Sequence, residues 1–165
     1  MSGDADLRPG EVTVDLPPAT DAQLRFIGKI RTPFQTPADC PRQGDPEEGP
    51  VCRLELIPEL EPALEGIERS SWLEVLYWLD RSRRDLVLQS PKRDGRTRGT
   101  FSLRSPVRPN PIGLSRVRLV RHFGTVLEVR GLDCLDGTPL LDIKPDRCDH
   151  AVRERAAHRD GDDAG

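Results

Sequence analysis

Hydrophobic and polar residues alternate in several short stretches of the chain. The stretch CRLELI at residues 52–57 places its cysteine and two leucines on one side and its charged residues on the other. A similar alternation occurs at residues 24–31 and 114–123, and a dense apolar run, SSWLEVLYWLD, fills residues 70–80. A period of two is typical of half-buried β-strands, and aromatic and β-branched residues suit a core strand. The pattern therefore predicts strands at these four places.

Shorter strands are predicted beside turn residues. Asp94-Gly95 and Asp136-Gly137 are dipeptides typical of tight turns. The additional strands are expected at residues 86–90, 99–103, 125–132 and 140–143.

One stretch has a helical spacing instead. Leu60, Leu64 and Ile67 recur at intervals of four and three residues in ELEPALEGIE, and Pro62 fits the first turn of a helix. The sequence thus predicts about six to seven short strands, one short helix and long loops. Such a series indicates an all-β barrel or sandwich.

The two ends of the chain lack the periodicity of the middle. Residues 1–22 combine Gly, Pro, Asp and Thr with little apolar surface, so burial cannot offset the entropy lost on ordering them. The last residues are mostly charged or small. We therefore predict a disordered N-terminal tail at residues 1–22, one domain at residues 23–146 and a charged C-terminal tail at residues 147–165.

The net charge of −3 hides a strong asymmetry. Residues 81–130 contain 13 Lys and Arg residues but three Asp and Glu residues. A basic block of this kind suits a polyanion, because neutralising phosphates releases counterions. The alternative is a set of strands with solvated arginines, which charged stretches usually are.

Several classes of protein are not indicated. The chain has no run of about eighteen apolar residues, and its acidic N-terminus lacks the apolar segment of a signal peptide, so we expect a soluble, cytoplasmic protein. Its cysteines have neither C-x-x-C spacing nor nearby histidines, so we expect reduced thiols and no metal site. No G-x-G-x-x-G follows a strand, which argues against a Rossmann cofactor site. The four cysteines are Cys40, Cys52, Cys134 and Cys148.

The stretch GTFSLRSPVRPNPIGLS, residues 99–115, is stiff and basic. Its three prolines fix the backbone within six residues, while Arg104 and Arg108 alternate with them. Fixed backbone groups can bind a planar heterocycle, and guanidinium groups can hold a carboxylate or a phosphate. We predict a ligand-binding loop. The alternative is a structural corner between strands, with solvated arginines.

Four motifs together resemble the TsaA-like family, also called YaeB or TrmO. They are RSPVRPNPIGLS at residues 104–115, GKIRTPF at 28–34, PRQ at 41–43 and DGTPLLDIKP at 136–145. That family includes S-adenosylmethionine-dependent tRNA methyltransferases. The resemblance implies a small β-barrel, in the region of residues 24–146, that binds this cofactor, usually as a homodimer.

The resemblance also implies which residues bind S-adenosyl-L-methionine. The Gln43 amide offers a donor and an acceptor to an adenine edge. The methyl group of this cofactor is already electrophilic, so the protein mainly positions the nucleophile, and no catalytic residue is assigned. The chain departs from the family at Asp80, near which members often have His, and at Asp146, where members commonly have Tyr. The expected cofactor-binding residues are Pro41, Arg42, Gln43, Asp80, Arg81, Arg104, Leu114, Asp136, Gly137, Thr138 and Pro139.

The implied substrate is the threonylcarbamoyl-modified adenosine beside the anticodon of tRNA, methylated on N6. Because that nucleoside carries a carboxylate, we expect Arg108, Asn110 and Arg116 to bind it. Longer family members have a C-terminal domain implicated in tRNA binding, which we expect this chain to lack. Two alternatives stay open: a methyltransferase for a small molecule, and a noncatalytic module that binds S-adenosylmethionine or RNA.

Overall fold

The strands of the protein belong to two units. A computed structural model describes residues 7–92 and 95–147. We call the unit formed by Leu24–Trp78 and Gly113–Gly165 the barrel unit, and the unit formed by Met1–Gln23 and Leu79–Ile112 the small unit. The strands in the described residues are β1 (Val12–Thr13), β2 (Gly28–Arg31), β3 (Cys52–Leu56), β4 (Trp72–Trp78), β5 (Leu86–Gln89), β6 (Arg98–Gly99), β7 (Ile112–Phe123), β8 (Val126–Arg130) and β9 (Pro139–Pro145).

The barrel unit is a closed sheet with the strand order β2-β3-β8-β7-β4-β9. Ile30 of β2 lies opposite Leu54 of β3, which in turn lies opposite Leu127 of β8 in a second antiparallel pair. Further around the barrel, Val75 of β4 lies opposite Ile143 of β9 in another antiparallel pair. Closure gives each strand a partner on both sides and leaves no exposed sheet edge. The predicted all-β barrel is confirmed.

Alternation fills the interior of the barrel. In β3, Cys52, Leu54 and Leu56 are buried while the two charged residues between them are not, as the sequence predicts. Fully burying side chains of this size stabilises a protein by about 1.5–3 kcal/mol each. The completely buried apolar residues include Ile30, Leu54, Leu73, Val75, Val117, Leu127, Val129 and Leu140.

The predicted helix has 3-10 geometry. Two 3-10 turns, Pro58–Leu64 and Ile67–Arg69, are separated by Glu65 and Gly66, and the φ of Gly66, 81°, is left-handed. Pro62, inside the first turn, has no N–H for an α-helical hydrogen bond. Among the described residues, no helix has the length and apolar composition needed to cross a membrane.

The small unit contains a three-stranded sheet with the order β1-β5-β6. Val12 of β1 and Gly99 of β6 lie on either side of Leu88 in β5. Residues 12–13, predicted as part of a disordered tail, therefore form a strand instead. The strand predicted at residues 99–103 is wrong, because β6 ends at Gly99 and a 3-10 turn, Thr100–Ser102, follows.

Antiparallel pairing places certain strand ends together. The ends of β2, β4 and β8 and the starts of β3, β7 and β9 lie at the same end of the barrel. We call this the loop end. It carries the connections at residues 32–51 and 131–138, and it is where the chain leaves the barrel unit after Trp78 and returns at Gly113.

Candidate functional site

Three polar side chains meet at the loop end of the barrel. The Tyr77 hydroxyl donates to Oδ1 of Asp133 at 2.8 Å. The Ser115 hydroxyl lies 2.8 Å from the Tyr77 oxygen and donates to the same Oδ1 at 3.3 Å. Burial, together with the negative charge of Asp133, raises the pKa of Tyr77 far above its ordinary value. Tyr77 is therefore a neutral donor that holds the Asp133 carboxylate in place.

Gly113 makes this arrangement possible. A Cβ atom at position 113 would overlap the aromatic ring of Tyr77. Because Gly113 has no side chain, the ring lies against the β7 backbone, and the hydroxyl can reach Ser115 two residues further on. The glycine of the PIGLS motif thus sets the position of the tyrosine.

The turn at residues 136–139 is fastened to β2. Thr32 donates its backbone N–H to Oδ1 of Asp136 at 3.2 Å, and Gly137, with a φ of 78°, donates to the Ile30 carbonyl at 2.8 Å. Arg31 lies 3.8 Å from the other oxygen of Asp136. The Asp136 side chain therefore shapes the turn, and the N–H groups of Asp136, Gly137 and Thr138 all donate to backbone carbonyls of the barrel unit.

The PRQ loop lies beside the segment that follows β8. Gly44 packs so closely on the Gly131 carbonyl that a Cβ atom there would overlap it. Arg42 and Gln43 are exposed, and neither side chain has a hydrogen bond within residues 7–92 and 95–147. Both can accordingly bind a ligand at the loop end.

The thiols near this end are protonated. Burial raises the pKa of Cys52 to about 11 and that of Cys134 to about 12. Burial, with the nearby carboxylates of Asp133 and Asp39, also raises the pKa of Cys40. Since the thiolate is the reactive form, these cysteines are poor nucleophiles. All three are free thiols, and Cys148 lies outside the described residues.

Other sequence-predicted residues lie in the small unit. Asp80, Arg81 and Arg104 are exposed there. Arg84 donates to the Pro109 carbonyl at 2.6 Å and approaches the Asn110 side chain at 3.4 Å. These bonds hold the proline-rich loop from within its own unit.

Arg116 has partners on the outside of the barrel. Its guanidinium lies 3.9 Å above the centre of the Trp72 ring and pairs with the carboxylate of Asp146. The Asp146 side chain is 9% exposed, so this pair is partly removed from water. The residue that stands where the family commonly has Tyr thus neutralises a predicted substrate-binding arginine.

Two other arginines of β7 also face carboxylates. Arg121 lies 2.8 Å from Glu128, and Arg118 lies 2.6 Å from Glu47. The basic block of residues 81–130 is, moreover, divided between the two units. Within the barrel unit these ion pairs reduce the positive charge, so this part of the block is not a uniform surface for a polyanion.

The structure therefore groups the predicted residues in part. Pro41, Arg42, Gln43, Leu114 and the turn at residues 136–139 all lie at the loop end of the barrel. Sequence reasoning missed the Tyr77, Ser115 and Asp133 cluster. The sequence signal for this cluster was weak, because Asp133 lies three residues before the DGTPLLDIKP motif begins at Asp136.

Potential metal ligands are not clustered in the part of the chain that the structure describes. Within the described ranges, no group of three or more His, Cys, Asp or Glu residues is placed to hold a metal ion. The polar side chains that the described residues place at the loop end carry hydroxyl, carboxylate, amide and guanidinium groups.

Comparison with known proteins identifies the family. Residues 29–149 match the model of the tRNA-methyltransferase O N-terminal domain. The probable S-adenosyl-L-methionine-binding protein VirR of Rhizobium radiobacter is 60% identical over 141 residues, which are 86% of this chain and 80% of that protein. The tRNA (adenine(37)-N6)-methyltransferase of mouse is 33% identical over 142 residues, which are 82% of this chain and 31% of the mouse protein.

A solved structure agrees with the sequence matches. The crystal structure of TrmO from Pseudomonas aeruginosa superimposes with a TM-score of 0.63 and 36% identity, covering 78% of this chain and 56% of that one. This chain thus corresponds to little more than half of the solved chain. The names of the relatives agree with the predicted cofactor and enzyme class. The resemblance seen in the four motifs is confirmed, and the chain belongs to the tRNA-methyltransferase O N-terminal domain family.

Proposed function

We propose that this chain is an S-adenosyl-L-methionine-dependent methyltransferase that methylates N6 of threonylcarbamoyladenosine beside the anticodon of tRNA. The family match supports the reaction, and the name of the mouse relative supports a tRNA adenine as the target. The observation that carries the proposal is the loop end of the barrel. There the Tyr77, Ser115 and Asp133 cluster lies among the loops whose motifs imply cofactor binding.

The barrel residues fit the chemistry of this cofactor, which when bound supplies a methyl group on a positively charged sulfur. The Gln43 amide is available to an adenine edge, and the Arg42 guanidinium to a carboxylate. Asp133 brings negative charge to the end where a cationic group would lie. The turn at residues 136–139 would contribute the carbonyl oxygens of Asp136 and Gly137, since its N–H groups and the Asp136 side chain are engaged within the barrel unit.

We assign to Asp133 the proton that N6 gives up. Methylation forms the bond between N6 and the methyl carbon, breaks the bond between that carbon and sulfur, and releases the N6 proton. Both hydrogen bonds to Asp133 end on Oδ1, and Oδ2 receives none within the described residues. A carboxylate fixed through one oxygen can accept a proton on the other without rearranging.

Of the predicted substrate-binding residues, Arg108 is the best suited to the carboxylate of the nucleoside. Its guanidinium donates to the carbonyls of Leu103 and Ser105, at 3.4 and 3.2 Å, and these neutral partners leave its charge in place. Arg116, by contrast, is paired with Asp146. We further propose, from the family resemblance, that the protein acts in the cytoplasm as a homodimer.

Transfer of labelled methyl from S-adenosyl-L-methionine to tRNA carrying threonylcarbamoyladenosine tests the proposal. The wild type is expected to label the tRNA, and Gln43→Ala and Arg104→Ala to reduce labelling by weakening cofactor binding. Arg69→Ala is the matched control, because Arg69 lies in the connection between β3 and β4, away from the loop end. Cofactor binding without labelling would favour a small-molecule methyltransferase or a noncatalytic module, and absence of cofactor binding would refute the proposal entirely.

A further inference from the structure

Phe101 in the small unit points into solvent. Its side chain is 83% exposed, the highest value among the large apolar residues of the described ranges. Thr100, its neighbour in the 3-10 turn, is 3% exposed. An apolar ring left in water forgoes the stabilisation that burial would give. A single exposed apolar residue is common on protein surfaces, so the setting of this ring has to decide its meaning.

The turn that carries Phe101 is held in one conformation. The Thr100 hydroxyl donates to the Leu86 carbonyl at 2.7 Å and accepts from the Gln89 side-chain amide at 2.8 Å. Thr100 and Gln89 are both buried. The Ser102 hydroxyl donates to the Gly99 carbonyl at 2.8 Å. These bonds fix the backbone on both sides of Phe101, so the ring stands on a rigid support.

The chain that follows is fastened as well. The Gln89 amide also donates to the Val107 carbonyl at 2.7 Å, which ties the turn and the proline-rich loop to the same buried side chain. Arg108 donates to the carbonyls of Leu103 and Ser105. A ring on a rigid loop has little conformational freedom left to lose on binding, which favours affinity.

The stretch of chain that carries the ring is basic. Residues 95–112 contain four arginines and no aspartate or glutamate. A rigid exposed aromatic ring within a basic stretch is the combination that binds single-stranded nucleic acid, in which bases stack on the ring and phosphates meet the positive charge.

We propose that Phe101 is a stacking platform for an unpaired base of the RNA substrate. The proposal rests on the proposed function in taking RNA as the substrate. Small cofactors are mostly enclosed by their sites, whereas a ring as open as Phe101 suits a base displayed by an RNA loop. Phe101 contacts the substrate and takes no part in cofactor binding.

Four variants test this role. Phe101→Ala removes the ring, Phe101→Leu keeps apolar bulk without a flat face, and Phe101→Trp keeps a flat face. The matched control is Phe123→Ala, which removes a 45% exposed phenylalanine that lies 5.2 Å from the Arg121 guanidinium. Because Phe101 is exposed, its substitution should shift Tm by less than about 2 °C, which shows that each variant folds.

Two binding measurements are made on each variant. Fluorescence anisotropy with a labelled anticodon stem-loop RNA should show Kd raised about 5- to 100-fold for Phe101→Ala and Phe101→Leu, and nearly unchanged for Phe101→Trp and Phe123→Ala. Calorimetry should show an unchanged Kd for S-adenosyl-L-methionine in all four. Binding is read directly, so a wild type that binds the RNA but transfers no methyl group would refute the proposed reaction and leave the stacking result standing.

Results of four kinds would overturn the stacking proposal. The first is an unchanged RNA Kd in Phe101→Ala, or a wild type that does not bind the RNA. The second is a Phe101→Leu variant that binds like the wild type, which would show that bulk alone matters. The third is a raised Kd for S-adenosyl-L-methionine in Phe101→Ala, which would place the cofactor adenine on the ring. The fourth is a smaller mass for Phe101→Ala in sedimentation, which would show that a second copy of the chain covers the ring.

Discussion

The ring of Tyr77 lies directly against Gly113, so that a Cβ atom on the glycine would overlap three ring atoms. The two residues belong to β4 and β7, neighbouring strands of the barrel. The contact sets the height of the hydroxyl, which then meets Ser115 and Asp133. The packing of Tyr77 on Gly113 between two barrel strands thus determines where the Asp133 carboxylate is held at the loop end.

Gly113→Ala should destabilise the protein by about 1–3 kcal/mol, because the added methyl group forces the buried ring to move. The free energy of unfolding from urea denaturation measures this cost. Gly99→Ala is the control, since a Cβ atom there meets nothing within 4 Å and φ is −61°. The control should change stability by less than about 0.5 kcal/mol. Equal stability of the two variants would contradict the packing described.

Tyr77 is the chain's only tyrosine, so tyrosinate absorbance reports on it alone. Burial raises its pKa, which means that the folded protein favours the neutral phenol. The resulting stability is complete below the unfolded pKa of about 10 and is lost as pH rises above it. Tyrosinate absorbance should therefore rise together with alkaline unfolding followed by circular dichroism. Ionisation near pH 10 in a protein that is still folded would argue against the buried hydrogen bonds.

Asp133→Asn should lower kcat by about 100-fold or more, because the amide cannot accept the N6 proton. The Kd for S-adenosyl-L-methionine, measured by calorimetry, should rise by a much smaller factor than kcat falls, because the lost negative charge weakens binding of the cationic cofactor while the lost proton acceptor affects the chemical step. Asp142→Asn is the matched control, since Asp142 pairs with Lys144 on the barrel surface. A kcat for Asp133→Asn close to that of the control would remove Asp133 from the mechanism.

Arg116→Ala should destabilise the barrel by about 1–3 kcal/mol, because it removes the guanidinium that compensates the mostly buried Asp146 carboxylate. Arg118→Ala is expected to cost at most about 1 kcal/mol, since Arg118 and Glu47 are both about half exposed. Chemical denaturation measures both. An equally small loss of unfolding free energy in both variants would show that the Asp146 carboxylate is not stabilised by Arg116.

The barrel could be predicted from the sequence because its strands leave a periodic signal. In β3 each inward residue is apolar and each outward residue is charged, and the pattern gave the strand within a residue of its observed bounds. Strand β1 left no such signal, because two residues cannot show a period and its partner Leu88 lies far along the chain. At residues 58–64 the leucine spacing indicated a helix, but Pro62 lacks the N–H that would bond to the Pro58 carbonyl in an α-helix, and the segment has 3-10 geometry.

The motifs predicted which loops lie together at one end of the barrel, while their role in binding stays a prediction. The PRQ loop and the turn at residues 136–139 were named from the sequence, and both lie at the loop end. The cluster of Tyr77, Ser115 and Asp133 was not predicted, because its members come from three strand ends that the fold of the barrel brings together. Their separations of 38 and 56 residues leave no local spacing to read. The pairing of Arg116 with Asp146 was hidden for the same reason.

Identification of the methylated nucleoside tests the central claim most directly. Two tRNA preparations, with and without the threonylcarbamoyl group on the adenosine beside the anticodon, are incubated with the wild type and S-adenosyl-L-methionine. Each is then digested and its nucleosides analysed by mass spectrometry. We expect an N6-methylated threonylcarbamoyladenosine from the modified tRNA and no methylated product from the other. Methylation of both tRNAs alike, or of neither while the cofactor still binds, would contradict the proposed function.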